Sequence, residues 1–174
     1  MDEFGYELNR LLVDTYRSAG KIEEIMLRDL SAGQLSIAEM HAIECVGRAR
    51  QEGRTIKDIA RELDITPPSA TAMIQRLERR GYVIKERSVE DGRQVRIRLT
   101  DHGMRAYIGY RYFHRKMVNA VRRDIEPQEM EVLLRAVRGI NEFFRQKLFE
   151  LENGETVKPD RRAPSDAPAE DEEE

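Results

Sequence analysis

Residues 55–99 read TIKDIARELDITPPSATAMIQRLERRGYVIKERSVEDGRQVRIRL, and their pattern predicts two short helices followed by a hairpin. The spacing of its apolar residues predicts a short helix over about 55–64. Thr66 is placed to cap a second helix at once, with Pro67 at the first helical position, where its missing amide costs nothing. This second helix ends at Gly81. Two helices joined by so short a connection are typical of a helix-turn-helix.

A two-stranded hairpin is predicted directly after the second helix. The apolar period changes there from helical to alternating, which favours strands over 82–87 and 93–99. Asp91 and Gly92 supply the turn between the strands. The second strand is expected to expose Arg96 and Arg98 and to turn three apolar side chains inward, those of Val95, Ile97 and Leu99. We interpret this hairpin as the wing of a winged helix-turn-helix.

Long helices flank this central motif. Apolar residues at helical spacing predict helices over about 2–30, 36–49, 101–123 and 127–151. Their apolar stripes exceed what one small domain buries, so we expect the terminal helices of two chains to pair as a homodimer. A monomeric helical bundle is the alternative.

The predicted fold class is mainly α with a small β wing. The winged helix-turn-helix domain occupies residues 36–100 and is flanked by an N-terminal dimerisation helix at 1–35 and C-terminal dimerisation helices at 101–152. From 153 to 174 the chain is rich in Pro, Asp, Glu and Ala and has almost no large apolar residue, which predicts a disordered acidic tail.

Charge is segregated along the chain, although the net charge is only −3. The segment 150–174 has ten acids against three basic residues, whereas 54–123 has seventeen Lys and Arg against eight Asp and Glu. The middle block, with a net charge of +9, is where a polyanion would bind. A solvated charged face is the alternative, but a basic helix-turn-helix favours double-stranded DNA as the partner.

Composition argues against several other classes. No stretch approaches the roughly 18 apolar residues of a membrane span, and the acidic start does not resemble a signal peptide, so we expect a cytoplasmic protein with no membrane partner. Cys45 is the only cysteine and is expected to be inert core. The three histidines lack metal-ligand spacing, so no metal is expected. The sequence has no paired nucleophile and general base and no glycine-rich phosphate loop, so neither an enzyme nor a cofactor is expected.

The second helix of the motif is the expected reading element. At about 100° per residue, Ala70, Met73, Ile74 and Leu77 fall on the side that packs on the domain. The opposite side enters the major groove in this class of motif, with polar residues at base edges and basic residues at phosphates. We expect base or near-base contacts from Ser69, Thr71 and Gln75, and phosphate contacts from Arg76 and Arg79.

Two features favour an A·T-rich operator. Pro68 is placed to contact thymine methyl groups, and Gln75 is suited to pair with adenine. Arg93, oriented by Asp91, is expected to enter a narrow minor groove from the wing tip. The full set of predicted DNA-contacting residues is Thr66, Pro68, Ser69, Thr71, Gln75, Arg76, Arg79, Lys85, Arg87, Asp91, Arg93 and Arg96.

The chain resembles the MarR family of transcription regulators. The resemblance rests on residues 55–60 (TIKDIA), 77–83 (LERRGYV), 87–93 (RSVEDGR) and 99–103 (LTDHG), and it extends over about 8–151. The Asp-x-Arg wing tip followed by Leu-Thr-x-x-Gly is the specific part of the pattern. The resemblance implies a triangular homodimer, with the first, fifth and sixth helices at its interface, which binds pseudo-palindromic operators.

A narrower resemblance rests on residues 23–28 (EEIMLR), 37–44 (IAEMHAIE) and 113–118 (FHRKMV). These segments are similar to the branch that represses bacterial type II fatty-acid synthesis genes, which implies long-chain acyl-acyl carrier protein as corepressor. Candidate ligand-binding residues are Ile25, Met26, Met40, His41 and Met117. The alternative is a regulator that a small aromatic or phenolic ligand releases from DNA.

Overall fold

The structure, a computed structural model, describes residues 1–31, 35–87 and 94–154, apart from the side chains of Leu30 and Gln51. Its elements are α1 (Glu3–Ser31), α2 (Ile37–Arg48), the 3-10 helix η1 (Arg50–Glu52), α3 (Ile56–Glu62), α4 (Pro67–Arg79), β1 (Val83–Arg87), β2 (Val95–Leu99), α5 (Asp101–Arg123) and α6 (Met130–Glu152). The predicted fold class is confirmed. Asp91, Gly92 and Arg93 at the predicted wing tip, and the acidic tail from 155 onward, lie outside the described residues.

Side-chain caps start the short helices where the sequence predicts them. Ser36 and Glu39 form a capping box at α2, because the Ser36 hydroxyl accepts from the Glu39 amide and the Glu39 carboxylate accepts from the Ser36 amide. At α4, Thr66 Oγ1 accepts from the Ser69 amide, and Pro67 begins the helix. Each cap satisfies amides that have no partner within the helix.

The core lies beneath the helix-turn-helix. It joins buried side chains from α2, α3, α4 and β2, among them Ile43, Ile59, Ile74, Leu77 and Ile97, each fully inaccessible to solvent. The predicted inward face of α4 is confirmed, because Ala70, Met73, Ile74 and Leu77 are all buried. Burial of one whole face fixes the rotation of α4 about its axis, and the opposite face is therefore presented to solvent.

The hairpin pairs its two strands antiparallel, with Val83 opposite Leu99 and Arg87 opposite Val95. Ile97 is buried as predicted, but the prediction that Val95 faces inward is wrong, since Val95 is 46% exposed. It lies at the outer end of the described hairpin, beyond the point where Arg54 forms a bridge with Ile97 and brings the rest of the domain against β2. Side chains still alternate between the two faces along β2, but the core does not extend far enough to cover Val95.

The junction between the hairpin and α5 explains the Leu-Thr-x-x-Gly motif. Thr100 Oγ1 donates to the Gly81 carbonyl at 2.5 Å, and the Thr100 amide donates to the Tyr82 carbonyl at 3.1 Å. Thr100 Oγ1 also accepts from the Gly103 amide at 3.1 Å and so caps α5. Gly103 is needed because a Cβ atom there would lie 2.0 Å from the Tyr82 carbonyl oxygen. A side chain at this position would collide with backbone.

The chain divides into two compact units, Met1–Asn119 and Ala120–Glu174. In the second unit, α6 begins at Met130, so the prediction that it starts at Pro127 is wrong. Residues 127–129 form a turn instead, in which the Glu126 amide donates to Glu129 Oε2 at 3.0 Å and the Glu129 amide donates to the Glu126 carbonyl at 2.9 Å. The four-part division inferred from the sequence stays a prediction.

Both α1 and α6 carry exposed apolar side chains along their length. In α6 no residue is buried, and its exposed large side chains are Val132, Leu134, Val137, Phe143, Phe144, Leu148, Phe149 and Leu151. In α1 the exposed set is Phe4, Tyr6, Leu8, Leu11, Val13, Tyr16, Ile22 and Ile25. None of the helices in the described part of the chain has the length and hydropathy that a membrane crossing requires.

Candidate nucleic-acid interface

The solvent-facing side of α4 brings together most of the predicted DNA-contacting residues. Thr66, Pro68, Ser69, Gln75, Arg76 and Arg79 are exposed, and Thr71 is half-buried. All three hydroxyls are occupied locally, because Thr66 Oγ1 and Ser69 Oγ are 2.9 Å apart and Thr71 Oγ1 donates to the Pro67 carbonyl at 2.9 Å. Gln75 makes no hydrogen bond to another described residue, so its amide is available to a ligand.

Glu39 clamps the reading helix to α2, a role that the sequence does not reveal. Its side chain is only 7% exposed, yet Oε1 accepts from Arg76 Nε at 3.1 Å and from Arg80. Burial alone would raise the pKa of the Glu39 carboxyl, but hydrogen bonds from Arg80, from the Ser36 amide and from Arg76 outweigh it and hold the pKa below its usual value. The carboxylate therefore stays charged and fixes the C-terminal half of α4 against the domain.

The bond to Glu39 reduces the availability of Arg76 for the predicted phosphate contact. The residue is half-exposed, and its Nε is directed at Glu39 rather than outward. Arg79, three residues further along, is exposed and has no carboxylate partner within the described ranges. Both phosphate contacts stay predictions, but the geometry favours Arg79 as the one with its whole guanidinium available.

The described part of the wing carries three of the predicted residues, and their surroundings differ. Lys85 Nζ donates to Glu78 Oε2 at 2.6 Å, which ties β1 to α4. Arg96 donates to Gln94 Oε1 at 3.3 Å, and Arg87 is exposed at the outer end of β1. Asp91 and Arg93 lie outside the described residues. The Lys85 bond links the described part of the wing to the reading helix.

The five candidate ligand-binding residues differ widely in their surroundings. Met40 is fully buried and Met26 packs against the core, whereas Ile25 and Met117 are 39% and 45% exposed. His41 Nε2 lies 3.1 Å from the Tyr110 hydroxyl, which donates to Glu23 Oε1 at 2.6 Å. The ligand role of the five stays a prediction. Sequence reasoning missed Tyr110, whose link to His41 spans 69 positions in the chain.

The described residues show neither a reactive cysteine nor a cluster of metal-ligating side chains. Cys45 is fully buried, and its burial, followed by the neighbouring Glu62 carboxylate, raises the pKa of the thiol to about 12. At neutral pH the thiol is protonated and unreactive, as expected for a core residue. Over residues 1–31, 35–87 and 94–154, no three His, Cys, Asp or Glu side chains are grouped to hold a metal ion.

Known proteins share this fold and part of this sequence. Residues 34–94 match the model of the MarR family. The solved structure of Streptococcus pneumoniae FabT in complex with DNA is 28% identical, with 81% of this chain and 97% of that chain covered and a TM-score of 0.70. The Staphylococcus aureus MepR–DNA complex is 18% identical, with 75% and 96% covered and a TM-score of 0.56. No curated protein matches the chain.

A further structure shows the fold with a small molecule. MepR of Staphylococcus aureus bound to ethidium bromide is 17% identical, covering 76% of this chain and 95% of that chain with a TM-score of 0.57. The fold and the exposed face of α4 define a winged helix-turn-helix protein of the transcription-regulator class. Within that class, the chain is similar to the MarR family, whose model matches residues 34–94.

Proposed function

We propose that the protein is a dimeric, sequence-specific repressor that reads a pseudo-palindromic, A·T-rich operator with α4 and the wing. The observation that carries the proposal is the fixed presentation of α4. Its apolar face is fully buried, Glu39 and Lys85 hold it to α2 and to the wing, and its polar face is open to solvent. A rigid helix with one free polar face is what reading base edges in the major groove requires. This function would place the protein in the cytoplasm.

The dimer is part of the proposal because one reading helix recognises only a few base pairs. Pseudo-palindromic operators present two half-sites about one helical turn apart, roughly 34 Å, and two linked helices match them. The exposed apolar side chains of α1 and α6 supply surface for such a pairing. The similarity to FabT, whose structure contains DNA, supports the same reading of the site.

Gln75 and Arg79 should separate base reading from phosphate binding. We expect Gln75→Ala to lose roughly 1–3 kcal/mol on the operator and little on unrelated duplexes, because only base contacts distinguish sequences. Arg79→Ala should weaken binding to all duplexes and reduce the slope of log K against log salt by about 0.9, since one phosphate contact is lost. Fluorescence anisotropy on operator and scrambled duplexes over a salt series measures both effects.

Arg17→Ala is the control for these two variants, because Arg17 is an exposed α1 residue of the same chemistry outside the reading elements. It should leave operator specificity intact. If Gln75→Ala weakened binding equally on operator and scrambled DNA, the reading role of α4 would be wrong.

We further propose fatty-acid synthesis genes as the target and long-chain acyl-acyl carrier protein as the corepressor. The resemblance of residues 23–28, 37–44 and 113–118 to that branch motivates this step, and the 28% identity to FabT supports it. Acyl carrier protein is acidic, and α5 exposes basic residues that are not in the reading elements: Arg111, Arg115, Lys116, Arg122 and Arg123. Opposite charge on the two surfaces favours their association.

A corepressor must bind the DNA-competent form more tightly than the other forms. We therefore expect operator affinity to rise with acyl-acyl carrier protein and to rise further with chain length, since each buried CH₂ contributes about 0.8 kcal/mol. Unacylated carrier is the control, and the Arg115→Glu, Lys116→Glu double variant should lose the response. If the acylated carrier left operator affinity unchanged while a small phenolic compound released the DNA, the effector would instead be a small aromatic or phenolic ligand.

A further inference from the structure

A second basic surface lies beside the wing, on residues that, apart from Arg96, the proposed function does not use. It is a groove of about 810 Å³ between the end of α2, the 3-10 helix η1 and strand β2. Guanidinium groups from all three elements line it, and we name it the arginine groove after these residues: Arg48, Arg50, Arg54 and Arg96. Only Arg96 was predicted from the sequence to contact DNA.

Backbone geometry makes the arginine groove a fixed surface. Gly53 has φ of +66°, and a Cβ atom there would lie 2.8 Å from the Ile97 carbonyl oxygen, so glycine allows the η1 segment to approach β2 closely. The next residue is locked to the strand, because the Arg54 amide donates to the Ile97 carbonyl at 3.0 Å and the Ile97 amide donates to the Arg54 carbonyl at 2.7 Å. The walls of the groove therefore hold their spacing without a ligand.

The charges of the groove fall into two groups. Arg48 and Arg54 both pair with Glu62, which assigns them a structural role. Arg50 is exposed, Arg96 is half-exposed, and neither has a carboxylate partner among the described residues. Of the two acidic lining residues, Asp58 is occupied by the Thr55 hydroxyl at 2.7 Å and by Arg61, and Glu52 is exposed. The buried Arg54 Nε also has no hydrogen-bond acceptor within the part described.

We infer that the arginine groove binds a backbone phosphate of the duplex through Arg50 and Arg96. Guanidinium groups present paired donors that match phosphate oxygens. DNA is the chosen source of that phosphate because Arg96 belongs to strand β2 of the wing, so a duplex that meets the wing passes the groove. The inference rests on the proposed function and extends the interface from α4 and the wing to η1.

Arg50 is the residue that tests the inference. Its φ of +49° lies in the left-handed region, so asparagine, which tolerates that region, is the replacement that removes the charge with least backbone strain. We expect Arg50→Asn to lower affinity about tenfold on operator and scrambled duplexes alike and to reduce the salt slope by about 0.9. Arg50→Lys should keep the slope, because it keeps the charge.

The measurement is fluorescence anisotropy on the full chain over a salt series, with urea unfolding to show that each variant is folded. Arg17→Ala is the matched control for loss of one positive charge. Wild-type affinity and slope in folded Arg50→Asn would overturn the inference while leaving the proposed function intact, provided that Gln75→Ala still loses operator specificity. If the wild-type protein bound no duplex, both would fall together.

Discussion

Gly103→Ala is expected to destabilise the winged helix-turn-helix by at least about 3 kcal/mol, a loss that few single substitutions produce. The new Cβ would lie 2.0 Å from the Tyr82 carbonyl oxygen, a distance that no side-chain adjustment relieves, because the opposing atom is backbone. Relief requires the start of α5 to move away from the hairpin. That movement breaks the bond from the Thr100 amide to the Tyr82 carbonyl and the bond from the Thr100 hydroxyl to the Gly81 carbonyl, each contributing about 1 kcal/mol.

Urea unfolding followed by circular dichroism measures this loss. Gly20→Ala is the matched control, because Gly20 is an exposed residue inside α1 with nothing within 4 Å of a new Cβ. Alanine there should be neutral or stabilise by roughly 0.5–1 kcal/mol, since it is the better helix former. A Gly103→Ala protein as stable as the wild type would contradict the close approach of α5 to the hairpin.

Local chemistry explains why so much of this fold is predictable from the sequence. The starts of α4 and α5 follow from Thr66 and Thr100, whose capping bonds span three residues, and from Pro67 at the first position of α4. Such short-range interactions can be predicted directly from the order of the residues. The start of α6 was predicted wrongly, because Pro127 fits a turn as well as it fits the first position of a helix.

Long-range contacts account for what the sequence does not predict. Glu39 forms a capping box with Ser36 at the start of α2, yet it also binds Arg76 of α4 and Arg80 just after that helix, which lie 37 and 41 positions away. Nothing in the local pattern distinguishes Arg76, directed at Glu39, from Arg79, directed at solvent. Periodicity identifies the face of a helix, whereas the partner of each charge on that face depends on which element packs beside it.

The same distinction applies to the candidate interface. The exposed side of α4 follows from its helical period and was correctly anticipated. The arginine groove was not, because Arg50 and Arg96 are 46 positions apart and long-range contacts such as the Arg54–Ile97 bridge bring their elements together. A predicted hairpin gives the register of its own strands and no indication of a third segment pairing beside them.

We expect the apolar stripe of α6 to lie in the dimer interface; this stripe consists of Leu134, Val137, Phe144, Leu148 and Leu151. These side chains are between 42% and 56% exposed and recur at helical spacing, so they form one face. Burying each in a dimer would contribute roughly 1.5–3 kcal/mol, and a symmetric dimer counts every substitution twice. The Val137→Glu, Leu148→Glu double variant should therefore weaken the dimer by at least about 6 kcal/mol, or roughly 10⁴-fold.

Light scattering should show the mass falling from twice 20.3 kDa to 20.3 kDa. Because α6 has no buried residue, the substitutions remove nothing from a core, and urea unfolding of the winged domain should be unchanged. The Arg135→Gln, Gln146→Glu double variant is the control: it makes the same change in net charge on the opposite face of α6 and should remain a dimer.

Operator binding gives the functional readout of the same variant. Two reading helices held in one dimer convert the second half-site contact into an intramolecular event, which raises affinity by roughly 10²–10⁴. Monomeric Val137→Glu, Leu148→Glu protein should lose that factor on the full operator and retain wild-type affinity for an isolated half-site, since α4 and the wing are untouched. A variant that stayed dimeric would place the interface on other residues, and a monomer with undiminished operator affinity would show that one chain suffices for recognition.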